Sequence, residues 1–145
     1  MNRIILLICL VTSAFVVGSC KKSATPAATT IVQGEWELRI MLASITPAKD
    51  YAPGNGNKLN FTATGYELYT NGQLVKSGQY LLANDNSAVC AADGVQNRTR
   101  IVYDNDYSGN KVFVQLSDDK LSFVSGCFAV DGGSIQTYEK LKFMQ

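Results

Sequence analysis

Cys20 is the residue whose position most clearly specifies a chemical fate. It ends the tetrapeptide Val17-Gly18-Ser19-Cys20, which follows a basic residue, Arg3, and an apolar run over residues 4–17. That run is shorter than the roughly 20 residues that a membrane-spanning helix needs, and the small residues before the cysteine suit a signal peptidase. The segment therefore predicts a signal peptide over residues 1–19, with cleavage of the peptide bond between Ser19 and Cys20.

The ending of this segment resembles the lipobox of bacterial lipoproteins. The resemblance implies that Cys20 becomes the first mature residue and carries diacylglycerol on its thiol and a third acyl chain on its amine. Because each buried methylene contributes about 0.8 kcal/mol, two or three chains anchor a protein stably. Lys21 follows the cysteine in place of an aspartate, which, by resemblance to the sorting rule of enterobacterial lipoproteins, implies the outer membrane of the bacterial cell envelope. An ordinary secretory signal, in which Cys20 is incidental, is the alternative.

Cys90 and Cys127 are the thiols that remain once Cys9 leaves with the signal peptide and Cys20 carries lipid. In an oxidising compartment a disulfide between them is favoured, and closing so long a loop stabilises the fold by roughly 4 kcal/mol in the chain-entropy treatment. Two buried free thiols are the alternative. A zinc site is disfavoured because the sequence has no histidine and two thiolates cannot complete a tetrahedron. We expect neither a metal nor a cofactor.

Few residues are candidates for catalysis. A serine triad lacks its usual base because there is no histidine, and Asp118-Asp119 falls in a predicted hairpin turn, where aspartates bond to the backbone. Residues 104–109 imitate the first half of a calcium loop, but Gln115 occupies the twelfth position, where glutamate is needed. A type I turn explains that segment without a cation. The sequence therefore indicates that the protein is not an enzyme.

The mature chain is short and formally neutral. Residues 20–31 combine the proposed lipidated terminus with a linker of small residues and Pro26, and residues 32–145 are long enough for one domain. All 12 acidic residues and all basic residues except Arg3 lie in the mature part. Since no basic cluster appears among them, we expect no nucleic-acid partner.

Period-two alternation predicts an all-β domain. Residues 33–42 alternate, with Trp36, Leu38, Ile40 and Leu42 on one face, whereas residues 44–57 contain prolines and glycines and predict a long loop. Further strands are predicted at residues 58–62, 66–70, 99–104, 111–116, 120–125 and 134–143, and after Asn71-Gly72. About eight short strands joined by tight turns favour an antiparallel up-and-down β-barrel, with a sandwich as the alternative.

Asn71-Gly72 is the strongest hairpin signal in the sequence. Pairing across this turn places Leu68 opposite Val75. A bulge at Gly78 would then turn Tyr80 inward, whereas an unbroken register would leave Gln79 among the inward residues.

Gly34-Glu35-Trp36 is the G-x-W pattern of the first strand of lipocalins. Together with the segment from Leu59 to Tyr66, the pairs Asn71-Gly72 and Gly78-Gln-Tyr80, and Asp131-Gly132-Gly133 before Tyr138, it resembles the lipocalin-like lipoproteins of Bacteroidetes. The resemblance covers residues 32–143 and implies a barrel whose closed end is plugged by Trp36. No arginine follows Arg100 to stack on that ring, so Lys140 or Lys142 would have to cover it.

The barrel interior is the candidate binding site. Its aromatic side chains could line a pocket for a small hydrophobic molecule, or they could simply fill a barrel of this size. Strict alternation places Glu139 inward, where a carboxylate needs a partner or water; a slip that points Tyr138 inward is the alternative. The candidate lining residues are Trp36, Phe61, Tyr66, Tyr80, Tyr103, Phe123 and Glu139.

Two functions follow from these alternatives. An open interior predicts a membrane-anchored protein that binds a small hydrophobic ligand. A filled interior predicts an inhibitor or accessory module that contacts a protein partner through loops such as residues 44–57. A cavity above about 300 Å³ would favour the first function.

Overall fold

The computed structural model describes residues 32–85, 99–127 and 132–142. In these ranges the chain forms nine strands: β1 (Gly34–Ala43), β2 (Thr46–Asp50), β3 (Lys58–Phe61), β4 (Gly65–Thr70), β5 (Gln73–Asn84), β6 (Thr99–Tyr103), β7 (Val112–Ser117), β8 (Lys120–Ser125) and β9 (Ser134–Lys140). Strands β3 to β9 pair in chain order, and β1 pairs antiparallel with both β3 and β9. Eight strands therefore close an antiparallel up-and-down barrel, which confirms the predicted fold.

β2 is an addition to the barrel. It pairs with residues 40–43 of β1, on the edge that holds β3 at residues 34–37. The chain leaves the sheet between β2 and β3, over residues 51–57. All five residues of β2 are exposed, and Ile45 in the preceding turn is 77% exposed. The prediction of a loop over the whole of residues 44–57 is therefore wrong at β2.

β1 changes face at Arg39. Its register against β9 shifts between Leu38 and Ile40, which leaves Arg39 as an extra residue. A β-bulge of this kind inverts the alternation beyond it. Leu38 is buried as predicted, whereas Leu42 is 36% exposed. The predicted inward placement of Ile40 and Leu42 is therefore wrong.

Trp36 lies at the centre of the packing near the start of β1. Its side chain is 1% exposed, its Nε1 donates to the Val32 carbonyl oxygen at 2.8 Å, and Lys140 Nζ lies 5.3 Å from the ring centroid. The expectation that a C-terminal lysine covers this ring is confirmed. The surrounding core consists of Val32, Leu38, Leu59, Phe61, Tyr66, Tyr80, Ile101, Leu121, Phe123 and Tyr138.

Glu37 is a buried carboxylate under the loop between β2 and β3. Its side chain is 2% exposed. Oε2 accepts hydrogen bonds from Gly54 N at 3.0 Å and Arg39 Nη1 at 2.6 Å, and Oε1 accepts one from Gly56 N at 3.3 Å. Arg39 Nε also donates to Glu139 at 2.9 Å. These charge-assisted bonds fasten the loop to the outside of the barrel.

We expect Glu37 to make stability depend on acid. Burial raises the pKa of Glu37, but the bonds from Gly54, Arg39 and Gly56 outweigh burial, and the pKa lies below its ordinary 4.5. Because the folded state favours the charged form, this contribution is complete above the ordinary pKa and is lost as pH falls through the lower folded one. Urea unfolding between about pH 6 and about pH 3 should therefore show a smaller loss of stability in Glu37→Gln than in the parent. Equal losses would contradict the assignment.

Several predicted features lie outside the described residues. They are the signal peptide, Cys20 and Cys90. Cys127 lies two residues after β8, and its disulfide with Cys90 stays a prediction.

Candidate functional site

A cavity of about 270 Å³ lies within the barrel. Seven apolar or aromatic residues and two polar ones line it: Leu59, Tyr66, Leu68, Tyr103, Val112, Phe123 and Tyr138, with Lys76 and Gln136. Such a mostly apolar wall with few polar groups is typical of small-molecule sites. The volume falls just below the roughly 300 Å³ that would favour ligand binding, so volume alone does not decide between the two predicted functions. At roughly 30 Å³ per water, this cavity corresponds to about nine water molecules. Its occupant must therefore be small.

The predicted lining residues divide into three groups. Tyr66, Tyr103 and Phe123 do line the cavity. Trp36, Phe61 and Tyr80 are buried in the adjoining core, where the Phe61 and Tyr80 ring centroids are 4.9 Å apart. Part of the interior is thus filled and part is open.

Glu139 forms the third group, and its predicted inward placement is wrong. Its side chain is 50% exposed and pairs with Arg39 outside the barrel. Tyr138 points inward instead, because it pairs with Leu38 and Leu121, which both face the core. The alternative with Tyr138 inside is therefore the one observed.

Lys76 reaches the cavity because of a bulge in β5. Leu68 pairs with Lys76 rather than with the predicted Val75, which is the extra residue. The bulge was predicted at Gly78, and the structure places it three positions earlier, at Val75. Tyr80 still turns inward and is 6% exposed. The earlier bulge also brings a lysine onto the inner face, and nothing in the residue types around Val75 signals this.

Asp104 lies beside Lys76, after β6. Its Oδ1 accepts from Gln79 N at 2.9 Å, and its Oδ2 accepts from the Tyr66 hydroxyl at 3.1 Å. The Gln79 N–H is the main reason that the pKa of Asp104 is lowered. A β-carbon at Gly78 would overlap the Asp104 carboxylate, so glycine there permits this close approach. The Lys76 ammonium lies 3.6 Å from Oδ2.

Tyrosine rings form much of the cavity wall. The Tyr66 and Tyr103 centroids are 4.6 Å apart, and Lys76 Nζ lies 5.7 and 5.9 Å from them. Burial raises the pKa of Tyr138 to about 12, so its hydroxyl stays protonated near neutral pH. That hydroxyl donates to Gln136 Oε1 at 3.1 Å. The site therefore has neutral aromatic walls, one ammonium group and one side-chain amide.

Residues 104–109 form a turn. Asp106 Oδ1 accepts from Ser108 N at 2.9 Å and from Ser108 Oγ at 2.5 Å, while Asp104 is held by Gln79 and Tyr66. The two carboxylates are thus engaged with separate partners. A turn is present as predicted, but its type differs: the hydrogen bond from Asp106 N to Tyr103 O spans Asp104 and Asn105, whose φ values of 54° and 58° belong to a type I′ turn and not to the predicted type I. Within the described ranges, no group of three or more His, Cys, Asp or Glu side chains is arranged to hold a metal ion.

Comparison with known proteins does not identify a relative. No protein-family model, no curated protein and no solved structure matches this chain. Over the parts of the chain that the structure describes, no helix has the length and apolar character required to cross a membrane. The function must therefore be argued from the chemistry of the barrel itself.

Proposed function

We propose that this chain is a lipid-anchored barrel protein of the bacterial envelope that binds a small, predominantly apolar molecule in its interior. The mostly apolar lining of the cavity, rather than its volume of about 270 Å³, is the observation that carries this proposal. Displacing water from such a wall is favourable in proportion to the apolar area covered. The resemblance to lipocalin-like lipoproteins supports the same function.

The division of the aromatic side chains also supports binding. Trp36, Phe61 and Tyr80 are buried in the core without bordering the cavity. Tyr66 and Phe123 are just as buried from solvent and belong to the same core, but they also border the cavity. Tyr66, Tyr103 and Phe123 then present ring surface to the open space. Aromatic rings give a ligand a large contact area with little loss of side-chain freedom.

Leu68→Trp should weaken binding of a neutral alkyl probe, decanol. Leu68 lines the cavity, so the larger indole occupies the space that the alkyl chain needs. We expect at least about tenfold weaker binding by isothermal titration calorimetry, since overfilled sites commonly lose one or more kcal/mol.

Tyr69→Trp is the matched control for this substitution. Tyr69 is the next residue in β4, but its hydroxyl donates to Glu67 at 2.9 Å and it borders a groove with Glu35 and Asn60, away from the cavity. Binding of decanol should be unchanged in this variant. Equal affinity for decanol in the parent and Leu68→Trp, with the fold intact by circular dichroism, would contradict binding in the interior.

Cys20→Ser should prevent lipid attachment. The thiol is the only acceptor that the lipobox resemblance provides, so metabolic labelling with a fatty-acid analogue should mark the parent and not the variant. Cys9→Ser is the control, because that cysteine lies in the predicted signal peptide and its loss should leave labelling unchanged. Label retained in Cys20→Ser would overturn the anchor.

A protein-interaction module is the second candidate function. The hairpin of β1 and β2 favours it, because β2 is exposed throughout and Ile45 at the turn is 77% exposed. Native mass spectrometry of protein isolated from its own cells separates the two candidates. A small bound mass that is lost in Leu68→Trp supports binding in the interior, whereas a protein-sized partner lost in Ile45→Glu supports the hairpin as a contact.

A further inference from the structure

We infer that the ligand carries an anionic end, such as a carboxylate on a compact alkyl or aromatic body, and that Lys76 and Gln136 recognise this end. The inference rests on the proposed binding in the interior and adds the chemical class of the ligand. It follows from the polar groups of the cavity, their existing partners and their exposure.

Both polar residues of the cavity offer donors to a ligand. An ammonium group has three N–H donors and no acceptor. The amide of Gln136 has its oxygen engaged by the Tyr138 hydroxyl at 3.1 Å, which leaves its NH₂ group as the part that can serve a ligand. The cavity lining therefore matches a molecule that carries hydrogen-bond acceptors, such as the oxygens of a carboxylate.

The Lys76 ammonium can bind a ligand although Asp104 lies beside it. Their separation of 3.6 Å is longer than a hydrogen bond, and the two side chains are 57% and 43% exposed. Exposed pairs of this kind hold each other weakly. Both oxygens of Asp104 already accept other bonds, from Gln79 N and from the Tyr66 hydroxyl. Lys76 can therefore turn towards a ligand without leaving Asp104 unpartnered.

The ring geometry sets the orientation of such a ligand. The faces of Tyr66 and Tyr103 carry negative electrostatic potential, which attracts the Lys76 ammonium lying 5.7 and 5.9 Å from their centroids. The same faces disfavour a carboxylate placed against them. An anionic end is therefore best placed on the solvent side of Lys76, where it stays partly hydrated, with the apolar body against Phe123 and Leu59.

Three probes with the same alkyl chain test this inference. Isothermal titration calorimetry would compare decanoate, decanol and decylammonium on the purified parent protein and on Lys76→Met, which keeps the length of the side chain and removes its charge. We expect the parent to bind decanoate more tightly than decylammonium. Lys76→Met should weaken decanoate about tenfold, as loss of a charge-assisted hydrogen bond does, and weaken decanol much less.

Lys120→Met is the matched control. Lys120 pairs with Glu139 in the β8–β9 register, on the outer face of the barrel, so its loss should leave all three affinities unchanged. Gln136→Leu should weaken decanoate more than decanol, since it removes the second donor from the cavity.

The outcomes separate this inference from the proposed function. If decanol and decanoate bind the parent but Lys76→Met weakens both equally or neither, the anionic class is wrong and binding in the interior stands. Tighter binding of decylammonium than of decanoate would also overturn the inference, and would point to Asp104 and the tyrosine rings as a cation site. If none of the three probes binds, the proposed function itself fails.

Discussion

Replacing Trp36 with alanine is expected to lower the free energy of unfolding by about 3–5 kcal/mol, as large-to-small core substitutions do. The indole is 1% exposed, donates to the Val32 carbonyl oxygen at 2.8 Å and lies under Lys140. Its loss leaves a cavity and an unpaired buried carbonyl. In a domain of this size, the melting temperature should fall by more than about 10 °C in a calorimetric scan.

Ile45→Ala is the control for the Trp36 substitution. Ile45 is also a large apolar residue, but it is 77% exposed, so its truncation should change stability by no more than about 0.5 kcal/mol. Binding of decanol to Trp36→Ala should weaken only as far as the folded population does, because Trp36 does not line the cavity. A variant that melts like the parent would remove the main support for the resemblance of the first strand to that of lipocalins.

Glu37→Ala should also be damaging, with a loss of about 3 kcal/mol, because it removes the buried carboxylate that pairs with Arg39 and accepts from two backbone N–H groups. The substitution leaves Gly54 N, Gly56 N and Arg39 without the carboxylate that accepts from them. Chemical unfolding measures the loss. Glu35→Ala is the control, since Glu35 lies on the same strand and is only partly buried; it should cost about 0.5 kcal/mol or less.

A double-mutant cycle with Arg39 identifies the source of the Glu37 effect. If the buried charge pair dominates, Glu37→Leu combined with Arg39→Leu should cost less than the sum of the two single substitutions. Strict additivity would show that the two side chains act independently and would contradict the proposed network.

The barrel could be predicted from local signals that the structure confirms. Asn71 and Gly72 have φ values of 52° and 81°, as the predicted two-residue hairpin turn requires. Asp118 has a φ of 50° in the tight turn between β7 and β8, where a turn was also predicted. Turn chemistry of this kind depends on a few neighbouring residues, so a sequence reveals it directly.

The bulges at Arg39 and Val75 could not be predicted in the same way. Neither residue is a glycine, and the position of each bulge depends on which strands lie on either side. Because a one-residue shift exchanges the two faces of a strand, each missed bulge changed the predicted interior. One error placed Leu42 inside, and the other kept Lys76 outside.

The candidate site was therefore only half predictable. Its aromatic wall follows from alternation, and Tyr66, Tyr103 and Phe123 lie where they were expected. Its polar groups do not. Lys76 enters through the bulge, and Gln136 faces the cavity because Tyr138, two residues further along β9, points inward in place of Glu139. The residues that decide the class of ligand are the ones whose orientation depends on long-range register.

The exposed strand β2 leaves an open sheet edge, which matters wherever several copies of the protein lie close together. Among the residues that the structure describes, it pairs with β1 alone, so its other edge can template pairing between molecules. The proposed lipid anchor would hold copies of the protein in a two-dimensional layer, where such encounters are frequent. β2 contains Pro47, which has no N–H to donate, together with the charged residues Lys49 and Asp50. Proline and lysine are the residues that natural sheets use to keep an open edge from pairing with another chain, so the composition of β2 opposes pairing of this edge with a second molecule.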